Sequence, residues 1–436
     1  MESRSVSFES FDRLAKQSCI LPERLCLPDQ HVSWRIGRES YRLPFSEAFQ
    51  KQFFSLGTLC GKYHDAIEAL FLSDEDFRKR VNIYRGEAFL DNCHNAASLS
   101  TGHIFYRPDL VLTEDSRFKM AEIDALPGEL GVHCFLLAAY GIALDGILDS
   151  FKNVLEELQL SQTIDFVIDP IASEDEYTAE YKYLADRLNT VGIKMNIYNI
   201  QEYRGPKAER TLVYRFFDMV RNDQSRVHDI IDRIRATESY LYPPIKHYLE
   251  EKLSLSYVHD KNVENIFLRY FTEDELSLFR SLLPRVHYLN KNARSIQPPL
   301  LINGTSVDSF SSLVAHAPHI PYVLKTSAFS DQFSTSKGAI LLEGLSKEQL
   351  ARLIEERIYK FDENFILQEK IQSQTIEVET LDSDSTERTL KGFSRLTPFY
   401  FKRGKRYALA SSHIVIRENK FDVHFASDST VIPAIL

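Results

Sequence analysis

The sequence predicts a mixed α/β (α+β) protein of two or three subdomains, and three observations carry that prediction. Its 436 residues exceed what one hydrophobic core usually holds. Residues 163–200 read strand, helix, strand, the pattern of a small α/β unit. The last third alternates strand and helix signals and ends in strands. With 44% hydrophobic and 26% charged residues and 16 each of Gly and Pro, the composition is that of an ordinary globular chain able to bury a large interior.

Taken in order, a helix is expected from Ser46 to Leu72, where Phe49, Phe53, Leu56, Cys60, Ile67, Leu70 and Phe71 recur near helical spacing and face a core. Ile104–Leu112 and Phe118–Ile123 read as two strands joined by a polar turn. Cys134 to Leu158 reads as one long helix packed on them, weakened in the middle by Gly141 and Gly146. In the α/β stretch, TIDFVIDP and GIKMNIYNI flank a helix at Glu176–Leu188, and LVYRFFDMV adds a third short strand. Val227 to Ser254 reads as predominantly helical, with a break at Pro243-Pro244. PYVLKTSA, KGAILLEGL, NFILQEKI and TIEVETL then read as strands, with a helix from Ser346 to Tyr359 among them. RYALASSHIVIRE and FDVHFASD suggest antiparallel pairing through Asn419-Lys420, and Lys402, Arg403, Lys405 and Arg406 an exposed hairpin turn. The expected organisation is a mostly helical region at 1–105, acidic strands plus the α/β unit at 106–245, and lysine strand, phosphate loop and β-rich end at 246–436.

Charge and cysteines narrow the function classes. A net charge of -10 disfavours a nucleic-acid or anionic-membrane surface. Five cysteines without CxxC spacing argue against a disulfide framework or structural zinc, so a reducing cytoplasm is the expected compartment. No apolar run is long enough for a membrane span, and MESRSVSFESFDRLAKQ lacks the apolar core of a signal peptide. The 13 histidines include no HxH or HExxH, so His103, His133 and His424 read as surface or packing residues. Trp34 and the Phe/Tyr-rich segments read as packing too.

Four elements carry candidate chemistry. In RPDLVL…AEID, Asp109 lies on one strand and Glu122 and Asp124 two apart on the next, where a period of two aims both at one face. Hard cations such as Mg²⁺ prefer such oxygen ligands, although acids two apart are more often a solvated face. In PYVLKTSAFSDQFSTSKG, a strand presents Lys325 ahead of a Ser/Thr-rich loop closing on Gly338, which suits phosphate oxygens; a surface turn after a strand lysine is the plainer reading, and no Walker A motif is present. NFILQEKI ends in Gln368 and Glu369, able to line an adenine slot or simply to end a core strand, and Arg395 in FSRLTPFYF could hold a phosphate or carboxylate bidentately.

The order of these elements resembles the circularly permuted ATP-grasp enzymes, a superfamily that includes glutathionylspermidine synthetase. Its Arg-x-Asp, spacer, Glu-x-Asn motif is matched by YRPDLVL and AEIDALPG, and these acids precede the strand lysine, the reverse of the ordinary ATP-grasp order. The resemblance touches residues 107–131 and 322–433. It implies an ATP-grasp-type fold around one nucleotide cleft, with ATP and Mg²⁺ as cofactors. Asp109, Glu122 and Asp124 would be the magnesium ligands, Arg107 a phosphate-side or transition-state contact and Arg395 a second anion contact. Lys325 would bind ATP phosphates beneath the loop closed by Gly338, Gln368 and Glu369 would lie at the adenine end, and Lys252 would be a further nucleotide lysine. Two departures stand out. Asp124 replaces the usual Asn, and Gly338 is the only glycine between Lys325 and Gly344.

The implied activity is an ATP-dependent carboxylate–amine ligase that makes an amide through an acyl phosphate, acting on an amino acid, peptide or polyamine; a homodimer is the family-level expectation. No GxSxG elbow or Cys/His nucleophile signature competes with it. The glycine-poor loop motivates a second reading, a catalytically silent nucleotide-binding scaffold or regulator. The α/β unit motivates a third, a glycosyltransferase-like protein resting on fold analogy.

Overall fold

The computed structural model describes residues 5–7, 10–11, 13–14, 36–44, 46–100, 102–124, 126–169, 176–219, 222–327, 338–381, 387–418, 423 and 429–435. The described residues are mixed α+β, with three sheets among them and with helices between the strands. Its strands are β1 (Ile36–Gly37), β2 (Tyr41–Arg42), β3 (Phe105–Leu112), β4 (Phe118–Asp124), β5 (Thr163–Ile168), β6 (Lys194–Asn199), β7 (Leu212–Phe216), β8 (Tyr240–Tyr242) and β9 (Val286–Asn290). They continue with β10 (Ser295–Ile302), β11 (Thr305–Ser309), β12 (Tyr322–Thr326), β13 (Ala339–Leu341), β14 (Phe365–Glu369), β15 (Thr375–Leu381), β16 (Glu387–Arg403), β17 (Arg406–Arg417) and β18 (Ser429–Ile435).

Two compact units divide the chain. One comprises Met1–Gly61, His94–Ile245 and Ser373–Leu436, the other Lys62–Cys93 and Lys246–Gln372. Both are discontinuous in sequence, whereas the regions expected from the sequence were contiguous; Ile245 ends a segment in either division.

The first unit holds an eight-stranded sheet ordered β15-β1-β18-β17-β16-β3-β4, with β2 on β18 and a further β15–β16 pairing that closes five strands into a ring. Closure leaves those strands without the open edges that invite pairing with other chains. It also holds a four-stranded, all-parallel sheet ordered β6-β5-β7-β8. The expected strand, helix, strand unit is β5, the helix Glu176–Asn189 and β6. The second unit is built on an antiparallel sheet ordered β11-β10-β9-β14-β12-β13. One face of that sheet packs a core including Leu289, Ile296, Leu300, Leu324, Phe365 and Leu367, which helix residues Leu313, Leu350 and Ile354 join.

The stripe expected over Ser46–Leu72 is the helix Glu47–Ser73, with Phe49, Phe53, Leu56, Cys60, Ile67 and Leu70 buried. The single long helix expected over 134–158 is instead two, Leu130–Ala139 and Asp145–Glu157. Gly141 breaks it with φ +62°, its N–H bonding the Ala138 carbonyl at 3.0 Å while Ile142 N–H reaches back to Leu137 at 2.8 Å, which satisfies the last helical carbonyls. Gly146 has another role, inside the second helix: a Cβ there would stand 2.7 Å from the Ala410 carbonyl oxygen.

The helical reading of Val227–Ser254 holds only for Gln224–Ala236; Tyr240–Tyr242 is a strand pairing in parallel with β7, and short 3₁₀ turns follow. Tertiary pairing overrides local propensity there. The β9–β11 strands were not expected; in β10, SIQPPLLI carries two prolines, which it accommodates where its register with β11 shifts. The basic hairpin turn is present, with Arg403 opposite Arg406 and Gly404 at φ +60°. Its partner expected in FDVHFASD lies, with Asn419-Lys420, outside the described residues apart from residue 423; β17 pairs with β18 and β16.

Among the described residues no helix is long and apolar enough to cross a membrane. Cys60, Cys93 and Cys134 are buried and outside any disulfide, and His103 and His133 are buried; Cys19, Cys26, Trp34 and His424 lie outside the described residues.

Buried histidines make stability pH-dependent. Burial lowers the imidazole of His64 to about 3 and that of His247 to about 3, and moves His133, His287 and His413 downward as well. Such a group binds its proton more readily in the unfolded chain, so its stabilisation is complete above the unfolded value of 6.5 and is lost as pH falls below it. At about pH 5.5 each of His64 and His247 costs on the order of 1 kcal/mol. The melting temperature is expected to fall steadily as pH drops from about 7.5 to about 5.5; a flat profile would contradict the neutral burial of these rings.

Candidate functional site

The RPD and EID segments form adjacent antiparallel strands, β3 and β4, in register Arg107↔Asp124 and Asp109↔Glu122. One irregularity decides what this pair presents. The register shifts between Asp109 and Leu110, which lies opposite Met120, so Ala121 is an extra residue on β4. Leu110 and Met120 are fully buried. A one-residue bulge reverses the alternation beyond it, so Glu122 and Asp124 share the face of Asp109 and Arg107 instead of pointing with Met120 into the apolar core.

Arg395 comes to the same face from β16. Its Nη1 donates to Asp109 Oδ2 at 3.2 Å, and its Nη2 donates to both carboxylate oxygens of Glu129 at 2.9 and 3.1 Å. Arg107 donates to Asp124 and to the Gly128 carbonyl, and lies 3.4 Å from Glu129. Asp124 also accepts the Leu126 N–H at 3.0 Å, knitting the loop after β4 to the site. His413 Nε2 stands 3.3 Å from Glu129, and His133 packs against His413 with its Nε2 2.6 Å from Ser411 Oγ.

Glu129 precedes the helix Leu130–Ala139, whose first amides are met from another helix: Glu180 accepts the N–H groups of Glu129 and Val132, each at 3.3 Å. The helices touch closely at Gly131, where a Cβ would stand 2.1 Å from the Glu180 carbonyl oxygen.

The electrostatics are acidic on balance. Asp109, Glu122, Asp124 and Glu129 face Arg107 and Arg395, a surplus of two negative charges. Burial pushes the Asp109 carboxyl up to about 6; Arg395 and Arg107 oppose the rise, while Glu122 and Glu129 add to it. Burial acts the same way on Glu129, but Arg395, Arg107 and His413 outweigh it and hold that carboxyl well below its usual range. Asp109 Oδ1 is buried without a hydrogen-bond partner. Asp109 and Glu122 stand opposite one another and offer oxygen donors of the kind hard cations prefer. Asp124 is engaged by Arg107, and among the described residues no three acid, histidine or cysteine side chains stand as a metal-binding group.

The residues expected to bind nucleotide lie in the second unit. Lys325 is on β12 opposite Ile366, with Val323 opposite Gln368 and Tyr322 opposite Glu369. Lys252, distant in sequence, is brought to the end of this strand: its N–H donates to the Ser327 carbonyl at 2.7 Å. Ser327 is fully buried, accepting the Leu253 N–H at 2.8 Å and donating to Glu251 at 2.5 Å, while Glu251 also takes Arg85 at 2.9 Å. Thr326 N–H meets the Gly338 carbonyl at 3.2 Å, so both ends of the loop are held together; the loop itself, 328–337, lies outside the described residues. Gln368 is buried, and Glu369 is exposed, with its carboxylate accepting the Arg285 N–H at 3.2 Å.

Sequence reasoning missed Glu129 and His413, which belong to no spacing rule: one sits in the loop PGELG, the other among apolar residues of β17. It also missed a polar group at the carboxyl ends of β5 and β7, where Asn222 donates to Asp169 at 2.8 Å and to the Asp218 carbonyl at 2.6 Å. The strand order reverses between β5 and β7, a place where open α/β sheets take ligands; TIDFVIDP followed by LVYRFFDMV was the available signal.

No protein-family model matches the chain, and no curated protein matches it. Among solved structures it is similar to a glutathione synthetase-like effector from Globodera pallida in its apo form, at 13% identity over 98% of this chain and 95% of that one, with a TM-score of 0.53. A candidate gamma-glutamylcysteine synthetase from Methylobacillus flagellatus KT gives 11% identity over 79% of this chain and 81% of that one, with a TM-score of 0.41. The first likeness shows that the chain shares the fold of a glutathione synthetase-like protein.

Proposed function

We propose that the protein is an ATP-dependent ligase joining a carboxylate to an amine, of ATP-grasp type in its circularly permuted order. The observation that carries this reading is the gathering of Arg107, Asp109, Glu122, Asp124 and Arg395 on one sheet face, with two negative charges in surplus and a buried oxygen of Asp109 unsatisfied. Asp109 and Glu122, with Asp124 once released by Arg107, would hold Mg²⁺, whose contribution when bound is to offset charge on the nucleotide phosphates. Lys325 and Lys252 would serve the phosphates, and Gln368 and Glu369 the adenine end.

In the reaction a substrate carboxylate oxygen attacks the γ-phosphorus of ATP and ADP leaves, giving an acyl phosphate. The amine then attacks the acyl carbon, loses a proton, and expels phosphate carrying the original carboxylate oxygen. Guanidinium groups at Arg107 and Arg395 suit the anionic intermediates, since each can present two parallel donors. No protein nucleophile enters. Asp169 and Asp218 suit the amine-bearing end of a substrate at the reversal point of the parallel sheet.

The test is ADP and phosphate release with Mg²⁺-ATP against pooled amino acids, short peptides and polyamines. Release that depends on a pool supports the ligase. The engagement of Asp109 and Asp124 by arginines favours a second reading, a nucleotide-binding scaffold without turnover. Under it ATP raises the melting temperature in a Lys325-dependent way while no pool stimulates release.

A further inference from the structure

We propose that Glu129 is the positioning residue of this site, the group that sets where the guanidinium groups of both Arg395 and Arg107 point. Its catalytic consequence rests on the ligase reading; its structural content does not. Glu129 is buried, takes two hydrogen bonds from Arg395 at 2.9 and 3.1 Å, and stands 3.4 Å from Arg107. Asp109 and Asp124 also engage these arginines, but both are needed at the cation in the proposed reaction. When they turn to it, Glu129 still holds both guanidinium groups. His413 Nε2 stands 3.3 Å from the same Glu129 oxygen that Arg107 approaches at 3.4 Å.

The backbone supports this assignment. Glu129 adopts φ +67°, the left-handed region that disfavours any residue with a Cβ. In PGELG glycines stand on either side of it, at 128 and 131, yet the residue that takes the left-handed conformation is the glutamate. Glycine would relieve the strain and forfeit the carboxylate. Strain of this kind persists where surrounding structure enforces it, here through Glu180, which binds the amides of Glu129 and Val132. A negative side chain is also favoured at the start of the helix Leu130–Ala139.

Glu129→Gln keeps the shape and removes the charge, and Glu129→Asp keeps the charge and shortens the reach. The experiment compares crystal structures of the full-length wild type and both variants, together with kcat, KM and melting temperature in whichever pool stimulates the wild type. In Glu129→Gln, Arg395 is expected to leave its place between Asp109 and residue 129, and kcat is expected to fall about 10–100-fold at little change in ATP KM. Glu129→Asp is expected to restore part of the rate. Arginines unmoved in Glu129→Gln, or a Glu129→Gln enzyme as fast as wild type, would overturn the proposal. If no pool stimulates the wild type, the ligase reading fails while the arginine positions still decide the role of Glu129. Should Glu129→Gln not fold, Glu129→Asp decides it by the same two measurements.

Discussion

Arg395→Met is expected to destabilise the protein by about 3–5 kcal/mol, because it removes the cation from two buried carboxylates at once. The Arg395 side chain is 12% exposed, with Asp109 at 7% and Glu129 at 10%, so solvent cannot replace the lost partner. Asp109 already titrates near 6 and is expected to rise further and take up a proton in the variant. Arg395→Lys is expected to fall between the two, since an ammonium cannot serve Asp109 and Glu129 with a planar fork. Adding Glu129→Gln to Arg395→Met should recover part of the loss, because it removes one of the stranded charges. Urea denaturation of the four proteins measures this. A loss below about 0.5 kcal/mol for Arg395→Met, the range of ordinary surface changes, would mean that the ion-pair cluster is not formed as described.

The second large effect is on turnover with stability preserved. Glu122→Ala and Lys325→Ala are each expected to lower pool-dependent ADP release by about 10²–10³-fold, the usual cost of deleting one group that stabilises developing charge. Both residues are only partly buried, so their melting temperatures should stay close to that of wild type. Arg395→Met confounds folding with function, whereas these two separate them. Loss in both variants, from residues in different units of the chain, would tie the acidic cluster and the lysine strand to one reaction. Activity surviving Glu122→Ala would remove the acids from the chemistry.

Much of the architecture could be read from residue patterns, and the places where reading failed share a cause. The strand, helix, strand unit and the helix Glu47–Ser73 are written in local periodicity. That Asp109, Glu122 and Asp124 share a face was legible too, but for an incomplete reason. A period of two puts Glu122 with Asp124, whereas bringing them to the face of Asp109 takes the bulge at Ala121, which no local pattern announces. Glu129 was invisible because its role depends on two arginines, one 22 residues before it and one 266 after, meeting across a sheet. Lys252 joins the lysine strand through the backbone carbonyl of Ser327, a buried residue that looks like any loop serine in TSAFSDQ. The split at Gly141 was half legible: the glycine was visible, but that it would end the helix and not merely weaken it depends on the left-handed turn it adopts.

The most direct measurement of the proposed ligase follows an oxygen atom. The protein would be incubated with Mg²⁺-ATP, the pooled amines, and pooled carboxylates labelled with ¹⁸O, and the released phosphate examined by mass spectrometry. A carboxylate–amine ligase working through an acyl phosphate transfers one labelled oxygen to phosphate for each ATP consumed, and Glu122→Ala removes that signal. Phosphate released without label would contradict the acyl-phosphate route, and ATP bound without any release would leave a nucleotide-binding scaffold in its place.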